Sequence, residues 1–340
     1  MSGIRDIAKL ANVSNGTVSA VLNGKGDALR IAPATQARVW EAARALNYRP
    51  NIPARRLRTA DDTGVPVVAL FWTWDTRSSL MGRFLKGIQS SSLCQEGGVE
   101  LLIQPYASSC LGKEMSLLRG TRFNGAIIAN ATELDLAYLS QVNLPLPIVL
   151  YQRSQEGYRS IQVDHYASGR EVAELFHAKG CRQVGLITPN VSSQAISLRQ
   201  AGFVETAERL GMQVAAEHRL LDSFSEQGGY EAAARLSAGP SLPEALFVLC
   251  DQMAIGALTA FRERGIQVPG QIQIVGYDDS ESAAFAVPSL TSVHLPVERM
   301  AAAAIRLLAK LIDPGRELAG IETFATHIVY RNSCPEVKNP

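Results

Sequence analysis

A small all-α head followed by a larger, two-lobed α/β body is the fold class this sequence predicts. Three observations carry that expectation. The first sixty residues show helical periodicity and a strongly basic balance, and the remainder alternates strand-like apolar runs with helical stretches. Six or more such strands over roughly 270 residues exceed one comfortable core, which argues for two lobes. With 46% apolar residues, the 340-residue chain has the material for real cores.

In the head, Ile4, Ile7, Ala8 and Ala11 share one helical face. Ser14 is placed to cap a second helix whose Val18, Val21 and Leu22 face inward. Asn15, Thr17, Ser19 and Asn23 are left outward, with small Gly16 and Ala20 among them. This is a helix-turn-helix pattern, and its common job is to place the second helix in the DNA major groove. After the loop Gly24 to Asp27, Pro33 opens a third helix with Val39, Ala43 and Leu46 inward. That helix stops before Tyr48-Arg49-Pro50. Asn51 is placed to cap a further short helix reaching Arg58, with Pro53 tolerated in its first turn, and Thr59 to Pro66 is a linker.

Beyond the linker the expected strands are Val67–Phe71, Val99–Gln104, Gly125–Ala129, Ile148–Tyr151, Val184–Thr188, Ala245–Cys250 and Ile272–Gly276. Helical stretches such as Leu80–Glu96, His165–Lys179, Leu198–Leu210, Gln227–Leu236 and Met253–Arg264 lie between them. The alternation predicts βαβ units and parallel sheets with right-handed crossovers. Ligands in such lobes bind outside the carboxyl ends of the strands.

Charge separates the two parts. Residues 1–60 hold ten Lys/Arg against three Asp/Glu, a balance of +7, while the rest holds 23 against 29, a balance of −6. A segmental asymmetry of this size points to a basic module that binds a polyanion, and argues against the alternative of a helical pair that merely packs on something else. No apolar run reaches the ~18 residues of a membrane span, and no signal-peptide core follows Met1. Five scattered cysteines without CxxC spacing fit reduced thiols in a cytoplasm. Neither a catalytic motif nor metal-ligand spacing is present, so no catalytic residue, metal or cofactor is expected and the chain is not read as an enzyme.

With these elements in place, the chain resembles the lactose/galactose-repressor family of bacterial transcription regulators over nearly its full length. The head matches in Ala11-x-Val13-Ser14-x-x-Thr17-Val18-Ser19-x-Val21-Leu22-Asn23, in Leu46-Asn47-Tyr48-x-Pro50-Asn51 and in Ala54-Arg55-x-Leu57-Arg58-Thr59. The body matches in Arg199-x-x-Gly202-Phe203, in Asp251-x-Met253-Ala254-Ile255-Gly256-Ala257 and in Ile274-Val275-Gly276-Tyr277-Asp278-Asp279. The resemblance implies a helix-turn-helix head over 1–50 and a hinge helix with linker over 51–61. It further implies a two-lobe, type I periplasmic-binding-protein-like effector domain over 62–335. Lobe 1 would take about 62–163 and 293–322, and lobe 2 about 164–292 and 323–335.

On the DNA side, the resemblance assigns base reading to Asn15, Gly16 and Ala20, with Ser19 and Asn23 beside them. Asn15 suits a bidentate contact to adenine. Gly16 and Ala20 offer little beyond van der Waals contact, a departure from the family's usual polar residue at the latter. Thr17, Thr35, Tyr48 and Asn51 suit phosphate contacts that fix register, and Ser14 is counted with them among the DNA-binding residues. Paired hinge helices would sit over the minor groove, where Leu57 wedges a base step and Arg55 and Arg58 supply charge. On the effector side the resemblance implies Arg199 and Asp278, with Gln152 and Cys250 at positions where the family commonly has other residues. The resemblance places Phe224 at a position that often stacks on ligand, and Trp72 and Trp74 suit either stacking on a ring or packing at a lobe or dimer interface. The expected partners are double-stranded operator DNA, a second copy of the chain, and a small-molecule effector: a carbohydrate first, a purine or another metabolite otherwise. The rival class is a solute-binding or sugar-modifying α/β protein with an appended helical module.

Overall fold

The computed structural model describes residues 4–22, 26, 29–46, 65–73, 78–95, 98–119, 122–312 and 321–336. The chain divides into two compact units, a head within residues 1–64 and a body that takes nearly all of the rest.

The head contains helices α1 (Ile4–Ala11), α2 (Asn15–Leu22) and α3 (Pro33–Ala45). Their apolar stripes converge: Ile7, Val18 and Val39 have no solvent exposure, and Ala8, Ala11, Val21, Ala42 and Ala43 complete a small core. Asn12 adopts a left-handed conformation (φ 51°), which ends α1 and turns the chain toward α2. Ser14 caps α2, its Oγ accepting from Thr17 N at 3.0 Å. Pro33 stands at the first position of α3, where its missing N–H costs nothing. The expected hinge helix and linker, 51–66 with the exception of Val65 and Pro66, lie outside the described residues.

Among its described residues the body holds two six-stranded sheets. The first runs β11-β5-β4-β3-β1-β2, with β1 (Val67–Thr73), β2 (Glu100–Tyr106), β3 (Gly125–Ala129), β4 (Ile148–Tyr151), β5 (Arg159–Val163) and β11 (Ile321–Phe324), all parallel. The second runs β12-β10-β9-β8-β6-β7. Its members are β6 (Val184–Pro189), β7 (Arg219–Asp222), β8 (Ala245–Val248), β9 (Gln273–Asp278), β10 (Thr291–His294) and β12 (His327–Val329). Only β12 is antiparallel to its neighbour in these pairings. The chain crosses between the sheets three times, after Val163, after His294 and after Phe324.

The helices that cover the sheets include α4 (Ser78–Gln89), α5 (Ser92–Gln95), α6 (Met115–Arg119) and α7 (Glu133–Gln141) on the first side. Next come α8 (His165–Ala178), α9 (Gln194–Arg209), α10 (Glu226–Ser237), α11 (Asp251–Glu263) and the short α12 (Glu281–Phe285). Helix α13 (Val297–Ile312) returns to pack on α4 and the first sheet. The central strands are buried on both faces, as β1, β3, β4 and β8 show along their whole length. The single helix expected over 80–96 is broken in the structure. Ser90 Oγ and Ser91 Oγ donate to the carbonyls of Lys86 and Ile88 at 2.6 and 2.7 Å, ending α4 at Gln89 before the short α5 begins.

Candidate functional site

In the head, the described residues expected to contact DNA lie at and along α2, with Thr35 on α3. Ser14, Asn15 and Gly16 are exposed, and Thr17, Ser19 and Ala20 are half-buried along the same helix. Ser14 Oγ also lies 2.9 Å from Thr17 Oγ1, so the cap and the first outward hydroxyl form one small network. A methyl group at Gly16 would meet Ser14 Oγ at an ordinary 3.7 Å, so packing within the head does not require glycine there. Thr35, in the first turn of α3, is half-buried and accepts from Arg38 at 3.4 Å. Asn23, Tyr48, Asn51, Arg55, Leu57 and Arg58 lie outside the described residues.

In the body, a cavity of about 250 Å³ opens between the two sheets. Its first wall comes from the loops after β2, β3 and β4: Ser108, Ser109, Asn130, Thr132 and Arg153. Its second wall comes from the loops after β6 and β7 and the start of α9: Val191, Ser192, Ser193, Ile196 and Phe224. All these loops leave the carboxyl ends of parallel strands, the expected place for a ligand. Arg153 spans the opening. Its Nη2 donates to Ser193 Oγ at 3.0 Å, while its Nε and Nη1 donate to the carbonyls of Ala131 and Gln152.

The first wall is built on one buried carboxylate. Asp135 accepts from the backbone N–H groups of Ser109, Leu111 and Thr132 and from Thr132 Oγ1, at 2.9 to 3.2 Å. With Thr132 Oγ1 accepting from Asp135 N, this is a capping box for α7 that also fixes the serine loop.

At several strand ends of the body the backbone is held in unusual conformations. Asn130, Gln152, Asp278 and Asp279 have φ of 58°, 61°, 111° and 50°, directly after β3 and β4 and at the end of β9. Non-glycine residues in this region cost free energy and cluster at functional sites. The side chains beside them are unsatisfied. Trp72 Nε1, Asn130 Nδ2, Gln152 Oε1 and Tyr277 OH are buried polar atoms with no hydrogen-bond partner among the described residues. Such groups cost about 1–3 kcal/mol each until something pairs with them.

Of the residues expected at the effector site, Phe224 lines the cavity. Trp72 is buried in β1, edge-on to Phe84 with ring centroids 5.5 Å apart. Gln152 is buried against Met300, 3.8 Å from its sulfur. Arg199 is wholly buried; its guanidinium carbon lies 3.2 Å from the Tyr277 ring centroid, and its Nη1 donates to Leu249 O at 2.7 Å. Cys250 is fully buried at the start of α11, and Asp278 is nearly so. Trp74 lies outside the described residues. Sequence reasoning missed Ser108, Ser109, Asn130, Thr132, Arg153, Ser192 and Ser193. Their one visible signal is Ser/Thr/Asn-rich loops directly following apolar strand runs.

A charged network joins this region to the crossing segments. Asp279 accepts from Arg331 at 2.7 Å and lies 2.8 Å from His294 Nδ1. Burial opposes its ionisation, but the bonds from His294 and Arg331 outweigh burial and hold its pKa below the ordinary value. Asp251, beneath the same turn, accepts from Ser280 N and Ser292 Oγ, both at 2.6 Å. A Cβ at Gly276 would fall on the Asp251 carboxylate, so the glycine in Val275-Gly276-Tyr277 leaves room for that buried acid. Among the described residues, no group of three or more His, Cys, Asp or Glu is placed to hold a metal ion. No helix among them is long and apolar enough to cross a membrane.

A helix-turn-helix head on a two-sheet body with a ligand-sized cavity defines the class of ligand-controlled DNA-binding regulators. Residues 3–51 match the model of bacterial regulatory proteins of the lacI family, and residues 173–334 match the periplasmic binding protein-like domain. A solved structure of a LacI family transcription regulator from Clostridium acetobutylicum is 33% identical, with a TM-score of 0.74, covering 78% of this chain and 100% of that one. The HTH-type transcriptional repressor PurR of Proteus mirabilis is 28% identical over 98% of this chain and 97% of its own length. A complex of the transcriptional regulator CelR with cellobiose is 25% identical, with a TM-score of 0.70, over 98% of this chain and all of that one. The chain belongs to the LacI family of transcription regulators.

Proposed function

We propose that this regulator works as a homodimer on operator DNA and that a single-ring, polyhydroxylated metabolite, a monosaccharide in the first instance, controls it from the interlobe cavity. The observation that carries the effector reading is the polar lining of the cavity, in which Asn130 Nδ2 is buried without a hydrogen-bond partner among the described residues. Five hydroxyl side chains, the Asn130 amide and the Arg153 guanidinium line the cavity with Val191, Ile196 and a single aromatic ring, Phe224. That combination suits the apolar face and hydroxyl rim of a sugar better than a flat purine, which calls for more apolar surface on both faces. A cavity of about 250 Å³ is sized for a small metabolite. In this reading Arg199, Asp278, Gln152, Cys250 and Trp72 are buried residues that support the site and do not line it, and the site binds without turnover. The cellobiose bound by the CelR relative supports a carbohydrate, though a larger one.

On the DNA side, Asn15, Gly16, Ser19, Ala20 and Asn23 read bases, and Ser14, Thr17, Thr35, Tyr48 and Asn51 fix register on phosphates. Leu57 wedges the minor groove between Arg55 and Arg58. The body divides as the resemblance implies, into lobes joined by the three crossings.

Thermal-shift screening of the full chain tests the effector assignment, because a ligand that binds only the folded state raises its melting temperature. D-glucose, D-galactose and D-xylose are expected to include a stabilising compound, and Asn130→Asp to abolish its shift. A shift from hypoxanthine or guanine with none from any sugar would overturn the carbohydrate reading. For the DNA side, Leu57→Ala is expected to weaken operator binding and reduce DNA bending in a gel-mobility assay. Unchanged affinity and unchanged bend would remove Leu57 from that role.

A further inference from the structure

Arg83 makes a set of contacts that neither the DNA reading nor the effector reading uses. It stands in the middle of α4, on the first lobe, and is mostly buried. Its Nε and Nη2 donate to the two carboxylate oxygens of Glu298, at 2.8 and 2.9 Å. Its Nη1 reaches the second lobe and donates to Asp278 O at 2.7 Å, with Asp279 O at 3.5 Å. Its Nη2 also donates to Leu295 O, in the second crossing, at 2.9 Å. The guanidinium is held in place for this. A Cβ at Gly87 would fall on the Glu298 backbone, so glycine there lets α4 approach the start of α13 and bring Glu298 within reach.

The turn that Arg83 grips holds two consecutive residues at positive φ. Asp278 and Asp279 are both left-handed, at φ 111° and 50°. The second lobe and the crossings hold this turn through Asp251, Ser292, His294 and Arg331. From a helix of the first lobe, Arg83 holds it through the carbonyls. A shift of the backbone of this turn moves the carbonyl that Arg83 holds.

We propose that Arg83 is a positioning residue that couples the Asp278–Asp279 turn to helix α4, so that occupation of the cavity is felt on the opposite lobe. This rests on the reading of the cavity as the effector site. The role needs the planar fork of arginine, because a lysine ammonium cannot meet a carboxylate and two backbone carbonyls in one plane. Coupling of this kind is reciprocal, and reciprocity is what the test examines.

Hydrogen exchange of the full-length chain supplies the measurement. Arg83→Gln is expected to speed exchange of the peptide 278–283 at least fivefold, since the Asp279 and Ser280 amides are protected there by Ser292 and Asp251. Arg83→Lys is expected to behave like Arg83→Gln. Asp279→Asn, which loosens the turn from the other side, is expected to speed exchange across α4. Effects confined to the lobe that carries the substitution, or wild-type protection in Arg83→Lys, would overturn the proposal. A second arm uses D-glucose, D-galactose, D-xylose and hypoxanthine as probes. Whichever raises the wild-type melting temperature is expected to protect both 278–283 and α4 in the wild type, and only 278–283 in Arg83→Gln. Protection of α4 in both proteins would also overturn the coupling. If none of the four shifts the melting temperature, the effector reading is what fails, and the ligand-free exchange still decides the role of Arg83.

Discussion

Asp251 shows how much a single buried acid organises at the Asp278–Asp279 turn. It is only 1% exposed and accepts two short hydrogen bonds, yet burial, aided by nearby Asp278, pushes its pKa up to about 7 against the bonds from Ser292 and Ser280. An acid whose folded pKa lies above its unfolded value of about 3.9 binds extra protons when folded. Its contribution to stability is therefore full below about pH 4 and is lost as pH rises through about 7. Asp279 and Glu298 act in the opposite sense. Burial opposes their ionisation, but the bonds from His294 and Arg331 on one and from Arg83 on the other hold both below the ordinary carboxylate value. Their contribution is present above the unfolded range and lost as pH falls. Asp251→Asn removes the first effect and leaves the second in place. The stability advantage of the wild type over this variant is expected to shrink between pH 5 and pH 8, as read from denaturant midpoints of both proteins. An advantage that stays constant or grows with pH would show that Asp251 does not titrate there.

At the scale of elements, four glycines besides Gly87 bring pairs of helices into backbone contact. A Cβ at Gly169 of α8 would fall on Arg199 O, and one at Gly202 of α9 on Tyr166 O. In the second pair, a Cβ at Gly229 of α10 would fall on Met253 O, and one at Gly256 of α11 on Glu226 O. Gly202→Ala and Gly256→Ala are each expected to lower stability by about 1–3 kcal/mol, because overpacking outweighs the better helix propensity of alanine. Gly82→Ala is the contrast. Gly82 is exposed in α4 with nothing within 4 Å of a Cβ, so alanine there is expected to raise stability by about 0.5–1 kcal/mol. Urea midpoints of the three variants check both signs. The sequence marks Gly202 and Gly256 inside helical periodicity without revealing why glycine stands there, because the reason lies on another helix. Strands follow the same logic. The buried strands β1, β3, β4, β6 and β8 announce themselves as apolar runs. In contrast, β7 and β11 are short and largely exposed, and β11 takes its ladder from Ser160 to Val163, far back in the chain. Nothing local makes such strands visible.

For the molecule as a whole, the division of labour was legible from charge and periodicity, whereas the cavity was not. Ser108 and Ser109 face Ser192 and Ser193 only because two sheets bring distant loops together, and no local pattern encodes that meeting. The segmental charge, by contrast, makes a prediction without any contact list. The basic segment, residues 1–60 at +7, should dock on phosphate, and the acidic remainder at −6 should not. Each neutralised phosphate releases condensed counterions, so the logarithm of affinity falls by about 0.9 per phosphate for each tenfold rise in salt. With about six phosphates engaged by a dimer, affinity for an operator duplex selected from random DNA is expected to fall roughly 10³-fold between 50 and 200 mM salt. Substituting Arg55→Gln and Arg58→Gln together is expected to flatten that slope. Arg182→Gln, at an exposed position of the body, is expected to leave it unchanged. Equal flattening by the body variant would mean that phosphate binding is not confined to the basic segment, and the charge-based assignment of the DNA-binding surface would fail with it.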